Sequence, residues 1–243
     1  MLREAVSYLL RGQRREEALL VGTVLALAAG ILARLGFLAI LALVPAVLLA
    51  GYAMAVLRAG AAAARAERAD ADPPDSGGLD SEAGSTASLP AFADFGALAA
   101  DGLRALAVSA GYLAGPLVVL LITVGATQAG AGTPGFVRTL SVYGAGTVAL
   151  VLAAGAAYLL PAALVGVADR GSVRAALDRG ALRRTAVDAG YFVGWFAAFG
   201  VAAVTASALA VLAALGRPGE VAALALSFYA LVVVARLLGR AAG

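Results

Sequence analysis

The sequence predicts an all-α fold, a polytopic membrane bundle of about six transmembrane helices, and three observations predict it. Of 243 residues, 62% are hydrophobic and 14% charged, where a soluble domain carries about 45–50% apolar and about 25% charged residues. Mean hydropathy is +0.93. The apolar residues also fall in long runs, and a bilayer crossing needs about 20 of them. Too little polar side chain remains to coat a water-exposed globule, which excludes a soluble enzyme. A single membrane domain over 1–243 takes up the whole length.

The elements follow in order. Over 1–17, Leu2, Val6 and Leu9 align at helical spacing while Arg3, Arg11, Arg14 and Arg15 fall largely elsewhere. That pattern predicts an amphipathic helix in the inner headgroup layer. Arginines ahead of an apolar stretch are also the opening of a secretory signal, but Glu16, Glu17 and the continuing hydrophobicity predict a retained segment. The apolar run 18–57 is twice the length of one span, and Arg34 interrupts it beside Gly36. A charge at mid-bilayer is costly, so a hairpin is expected, with spans near 18–33 and 37–57. One long tilted helix is the alternative, at the cost of more apolar length than a ~30 Å core accommodates.

Residues 65–89, with Glu67, Asp70, Asp72, Asp75, Asp80 and Glu82, predict a disordered acidic cytoplasmic linker. Pro90 is placed to open a helix carrying Phe92, Phe95, Leu98 and Leu103. Further spans are expected near 104–126, 141–165, 190–214 and 219–238. Gly130, Gly132 and Gly135 mark an exterior turn that lacks the lysine of a phosphate loop. Between the fourth and fifth spans, Val173, Ala176 and Leu177 oppose Arg174, Arg179, Arg183 and Arg184 in a second amphipathic segment, broken at Gly180. Residues 1–60, 90–170 and 172–243 then fit three parallel units, each an amphipathic helix followed by a hairpin.

Arginine placement orients the bundle. All 18 basic residues are arginine; with six spans, fifteen fall on one side and only Arg34, Arg138 and Arg217 on the other. Basic residues collect on the cytoplasmic side, so both termini are expected in the cytoplasm of a plasma-membrane protein.

The same composition narrows the chemistry. The chain has no Cys, His or Lys, the residues on which thiol catalysis, zinc and haem ligation, Schiff bases and P-loops depend. Its spans carry essentially no carboxylate, which argues against proton relays. Ser109, Ser141, Thr147, Thr205, Ser207 and Ser227 have no adjacent base and are expected to back-bond to their own helices or to cross-link neighbouring ones. No enzyme activity, cofactor, metal or nucleic acid is expected. Asp101 and Arg104, three apart at the inner mouth of the third span, are expected to pair on one helix face. Asp94 precedes them, and Arg58 and Arg236 close two units in the same way, behind Tyr52 and Tyr229. These five are the candidate interaction residues. The expected partners are the lipid bilayer, anionic lipid headgroups at the inner arginines and a membrane-protein partner. Gly111 with Gly115, and Gly190 with Gly194, make small-residue faces suited to close packing, and Pro45, Pro116 and Pro161 are placed to kink or end spans.

Several of these residues carry a family resemblance. Gly51-Tyr52 and Val56-Leu57-Arg58 form one signature; Pro90, Phe92, Asp94, Phe95, Gly96, Leu98, Asp101, Gly102, Leu103 and Arg104 form the next. Tyr158 with Pro161-Ala162-Ala163, and the closing Phe228-Tyr229-Ala230 and Ala235–Arg240 segments, follow. The pattern resembles the integral-membrane family called domain of unknown function 4013, common in haloarchaea. Phe95 stands where that family usually has Trp, Ala55 where a basic residue is frequent, and the acidic linker is enlarged. The resemblance implies a polytopic membrane protein and supplies no substrate, cofactor or catalytic residue. Two readings of function remain open: a non-catalytic scaffold, accessory or lipid-organising protein, and a permease or lipid-handling transporter with an uncharged cavity.

Overall fold

The computed structural model describes residues 15–71, 90, 92, 94–128 and 135–243, which are almost entirely helical with no strand among them. Seven α-helices are present in this part of the chain: α1 (Arg15–Leu32), α2 (Leu43–Ala71), α3 (Phe95–Gln128), α4 (Phe136–Arg170), α5 (Arg179–Ala186), α6 (Ala189–Ala214) and α7 (Arg217–Ala242). Two 3-10 turns, Gly36–Ala42 and Val173–Leu177, join them. Most of the surface helix expected over 1–17, residues 72–89 of the expected linker and the glycine-rich turn at 129–134 lie outside the described residues.

Five helical stretches are long and apolar enough to cross a membrane: 36–69, which takes in the first 3-10 turn and most of α2, together with stretches in α3, α4, α6 and α7. The expected span at 18–33 does fall on a helix, α1, but Arg15, Glu16 and Glu17 occupy its first turn. Its apolar stretch, residues 18–32, is about 22 Å long at 1.5 Å per residue, short of a ~30 Å hydrocarbon core.

The run 18–57 is a hairpin and not one long helix. Helix α1 ends at Leu32, Gly36 takes a left-handed φ of +58°, and the 3-10 turn leads into α2. Pro45 sits in the first turn of α2, where a helix has no need of its missing N–H, so it starts the span and does not kink it. Pro116 and Pro161 are interior to α3 and α4.

Three antiparallel hairpins, α1–α2, α3–α4 and α6–α7, build the bundle, and α2 sits at its centre against α1, α3, α4 and α7. Gly22 of α1 faces Phe228 and Gly30 faces Leu224, so α1 runs opposite to α7; Gly60 and Gly243 of α2 and the α7 end meet Arg236 and Ala61 in the parallel sense. The starts of α1, α3 and α6 and the ends of α2, α4 and α7 therefore share one end of the molecule.

Several boundaries differ from expectation, each for a local reason. Helix α2 continues to Ala71, so 65–71 is helix and not linker; Arg65 pairs with Asp169 and Arg240 with Glu67, which ties this last stretch to α4 and α7. The segment at Pro90 opens no helix. Asp94 accepts a hydrogen bond from the Ala97 N–H (2.9 Å) and starts α3 at Phe95, as a helix N-cap does. Helix α3 then runs 34 residues without a break, about 51 Å, so its first turns extend past the hydrocarbon. The second surface segment breaks at Asp178, not Gly180, because the Asp178 carboxylate caps α5 through the Ala181 N–H (3.0 Å). Among the described residues, a separate surface helix thus precedes only the third hairpin, and the threefold unit does not extend to the second.

The core is densest towards the shared end. Tyr52 is fully buried, stacked on Phe92 with ring centroids 4.2 Å apart and tilted against Phe228 at 5.7 Å. Phe92 precedes α3, so this aromatic stack pins the entry of α3 onto α2 and α7.

Candidate functional site at the arginine end

The close crossing of α2 and α3 sets the geometry of the site. A Cβ on Gly51 would lie 1.9 Å from the Leu98 carbonyl oxygen, and one on Gly102 would lie 2.0 Å from that of Val47. Each helix offers its glycine to the other's backbone, and no side chain fits between them. Gly111 and Gly115, by contrast, have nothing within 4 Å of a built Cβ; that expected packing face points away from the rest of the chain. Of the other pair, Gly194 does pack, against Ala241 of α7, while the nearest atom to Gly190 is the Asp188 carboxylate.

With α2 and α3 this close, Arg58 reaches Asp101. Its Nη2 donates to Asp101 Oδ2 at 3.0 Å and its Nε donates to the Ala168 carbonyl of α4 at 2.7 Å. Arg104 Nη1 donates to Asp101 Oδ1 at 2.7 Å, the pairing its spacing predicts. One carboxylate, 17% exposed, is thus shared by two guanidiniums that are each about two-fifths exposed. Arg104 Nε and Nη2 have no partner among the described residues. The three-residue cluster carries a formal charge of +1 and ties α2, α3 and α4 together. Of the other candidates, Asp94 is the cap of α3 and exposed, and Arg236 lies on α7, buried to 3% exposure where Gly60 of α2 passes its carbonyl.

Charge at this end is otherwise mostly matched. Asp169 takes Arg65, Asp178 takes Arg170, and Glu67 receives Arg240 through both oxygens at 2.6 and 2.7 Å. Arg68 donates to the Gly243 carbonyl at 2.7 Å. Asp178 is held below the ordinary carboxylate range, first by the Ala181 N–H and then by the Arg170 guanidinium. The side chains of Arg174, on the 3-10 turn, and of Arg179, Arg183 and Arg184, on α5, have neither an ion pair nor a hydrogen bond among the described residues. Leu177 and Val187, at either end of α5, are 73% and 76% exposed. At the opposite end of the bundle, Arg34 pairs with Glu220.

Below the arginines the interior is apolar. A groove of about 490 Å³ lies between α3 and α4, lined by Leu113, Leu117, Gly146 and Ala153 among others. A cleft of about 230 Å³ lies between α2, α3, α4 and α7, with Ser109 as its one polar side chain. Thr147, Ser207 and Ser227 donate to carbonyls of their own helices, as expected; Ser109 has no hydrogen-bond partner among the described residues. No group of three metal-ligating side chains occurs among them either. Sequence reasoning had not found this cleft, since its walls are ordinary Ala and Leu on four helices; Ser109 was its only distinctive letter.

A multi-pass membrane helix bundle with a polar cluster and an arginine-rich surface at one end is the class these features define. The chain belongs to the family described as Protein of unknown function (DUF4013), whose pattern matches residues 34–214. No curated protein and no solved structure matches it. Several of the residues that carried the resemblance in the sequence close the α2–α3 crossing: Gly51, Tyr52, Arg58, Phe92, Asp101, Gly102 and Arg104.

Proposed function

We propose that this is a non-catalytic protein of the plasma membrane that organises anionic lipid at the cytoplasmic leaflet, with the arginine end of the bundle inside. The observation that carries the reading is the group of four unpaired arginines, Arg174, Arg179, Arg183 and Arg184, beside exposed Leu177 and Val187. Glu67, Asp101, Asp169 and Asp178 at that end are already taken by other arginines, so the charge of these four guanidiniums has no ion pair among the described residues. A short basic element with apolar side chains beside it fits the headgroup layer, where each arginine contributes about 1 kcal/mol of attraction to an anionic surface. The interior supports the same reading over a permease. Glycine-closed crossings and apolar-walled cavities offer a polar solute no lined path.

The test is the lipid composition of particles cut from the membrane with a polymer, without detergent. The wild-type chain carries more anionic phospholipid than the bulk membrane, and R174Q/R179Q/R183Q/R184Q returns to the bulk composition. Bulk composition around the wild-type chain overturns the reading.

A further inference from the structure

The cleft and the Arg58–Asp101–Arg104 cluster are stacked on the same three helices. Met54 of α2, Ala105 of α3 and Leu164 of α4 line the cleft, and Arg58, Asp101 and Ala168, the three groups joined by hydrogen bonds, each lie four residues away towards the arginine end. Four residues along a helix is one turn on the same face, about 6 Å. An apolar slot of about 230 Å³ therefore opens directly beneath a polar cluster of net charge +1, whose Arg104 still has Nε and Nη2 to offer.

Resting on the lipid reading above, we propose that this slot is a seat for one anionic phospholipid, with an acyl chain in the cleft and the phosphate on Arg104 and Arg58. The charge selects the occupant. Two guanidiniums around one carboxylate leave a single positive charge for a phosphodiester, and a cleft with apolar walls takes a hydrocarbon chain at no desolvation cost. Ser109, part-buried in the cleft wall and without a partner among the described residues, lies eight residues below Asp101, about 12 Å along α3, at the depth of the upper chain. Arg174, Arg179, Arg183 and Arg184 attract many lipids to a surface, whereas this seat holds one.

The chain contains no cysteine, so S109C gives the cleft a unique and nearly isosteric thiol. In mild detergent its reaction with N-ethylmaleimide is followed while phosphatidylglycerol or phosphatidylcholine is added. Phosphatidylglycerol is expected to slow the reaction about tenfold once nine-tenths of the sites are filled, phosphatidylcholine is not, and R104Q in the S109C background abolishes the protection. Equal protection by the two lipids, protection that survives R104Q, or no protection overturns the seat. Repeating the measurement with the four surface arginines replaced separates the two readings. Protection that persists there leaves the seat standing even if the surface reading has failed, and its loss shows that the arginine surface, not the seat, holds the lipid.

Discussion

Asp101 shows how much one carboxylate does in a bundle this poor in polar groups. It is mostly buried and accepts from Arg58 and Arg104 at once. Hydrogen bonds to a charged group contribute about 1.5–3 kcal/mol, and a stranded partner adds its own desolvation cost. Asp101→Ala is therefore expected to destabilise the bundle by about 2 kcal/mol, read as a lower thermal midpoint in detergent, with Arg104→Ala costing less because Arg58 remains. An unchanged midpoint for Asp101→Ala would contradict this. Asp178 gives a pH dependence whose sign is fixed. Its folded value is depressed below the ordinary value of 3.8, so its cap contribution is complete above that value and is lost as pH falls through the folded one. Hydrogen exchange at 179–186, corrected for intrinsic rates, is expected to rise at pH 3 relative to pH 6, and D178A, which has no cap acceptor, should show the faster exchange at both. The i,i+3 spacing revealed the Asp101–Arg104 pair in the sequence. Nothing local revealed that Arg58, 43 residues away, joins them, because its contact is made by the α2–α3 crossing; it was singled out by the matching ends of two units, Tyr52 to Arg58 and Tyr229 to Arg236, and by the family resemblance.

At the scale of the helices, glycine placement decides which pairs approach. Gly51→Ala or Gly102→Ala pushes a methyl into a backbone carbonyl, and such overpacking costs about 1–3 kcal/mol. Gly111→Ala and Gly115→Ala meet open space and are expected to leave stability within about 0.5 kcal/mol. Thermal unfolding of the four variants separates the cases; equal effects would contradict the crossing. The sequence pattern pointed to the wrong pair for a physical reason. A small-xxx-small motif is read along one helix, whereas the closest approach here is made by one glycine from each of two helices, set against each other by the fold. Helix existence was legible from apolar runs, while helix ends were not. Asp94 and Asp178 stop or start helices by single hydrogen bonds, and the continuation of α2 to Ala71 depends on ion pairs to α4 and α7 that no local composition announces.

Across the whole molecule, charge is sorted along the bundle axis. Arg34, Arg138 and Arg217 lie at one end with Glu220, and the starts of α1 and α3, the ends of α2, α4 and α7 and the α5 region gather the remaining described arginines at the other. Arginine counting along the sequence had sorted them the same way. Sidedness in a membrane is set by such an asymmetry, and both the lipid-organising surface and the single-lipid seat depend on the arginine end facing the anionic cytoplasmic leaflet. The absence of native cysteine lets single thiols report on it. With cysteines placed singly at Arg217 and Arg179, an impermeant maleimide applied to intact cells is expected to label position 217, and to label position 179 only after the cells are opened. Labelling of position 179 in intact cells, with position 217 protected, would contradict the orientation and with it the lipid reading.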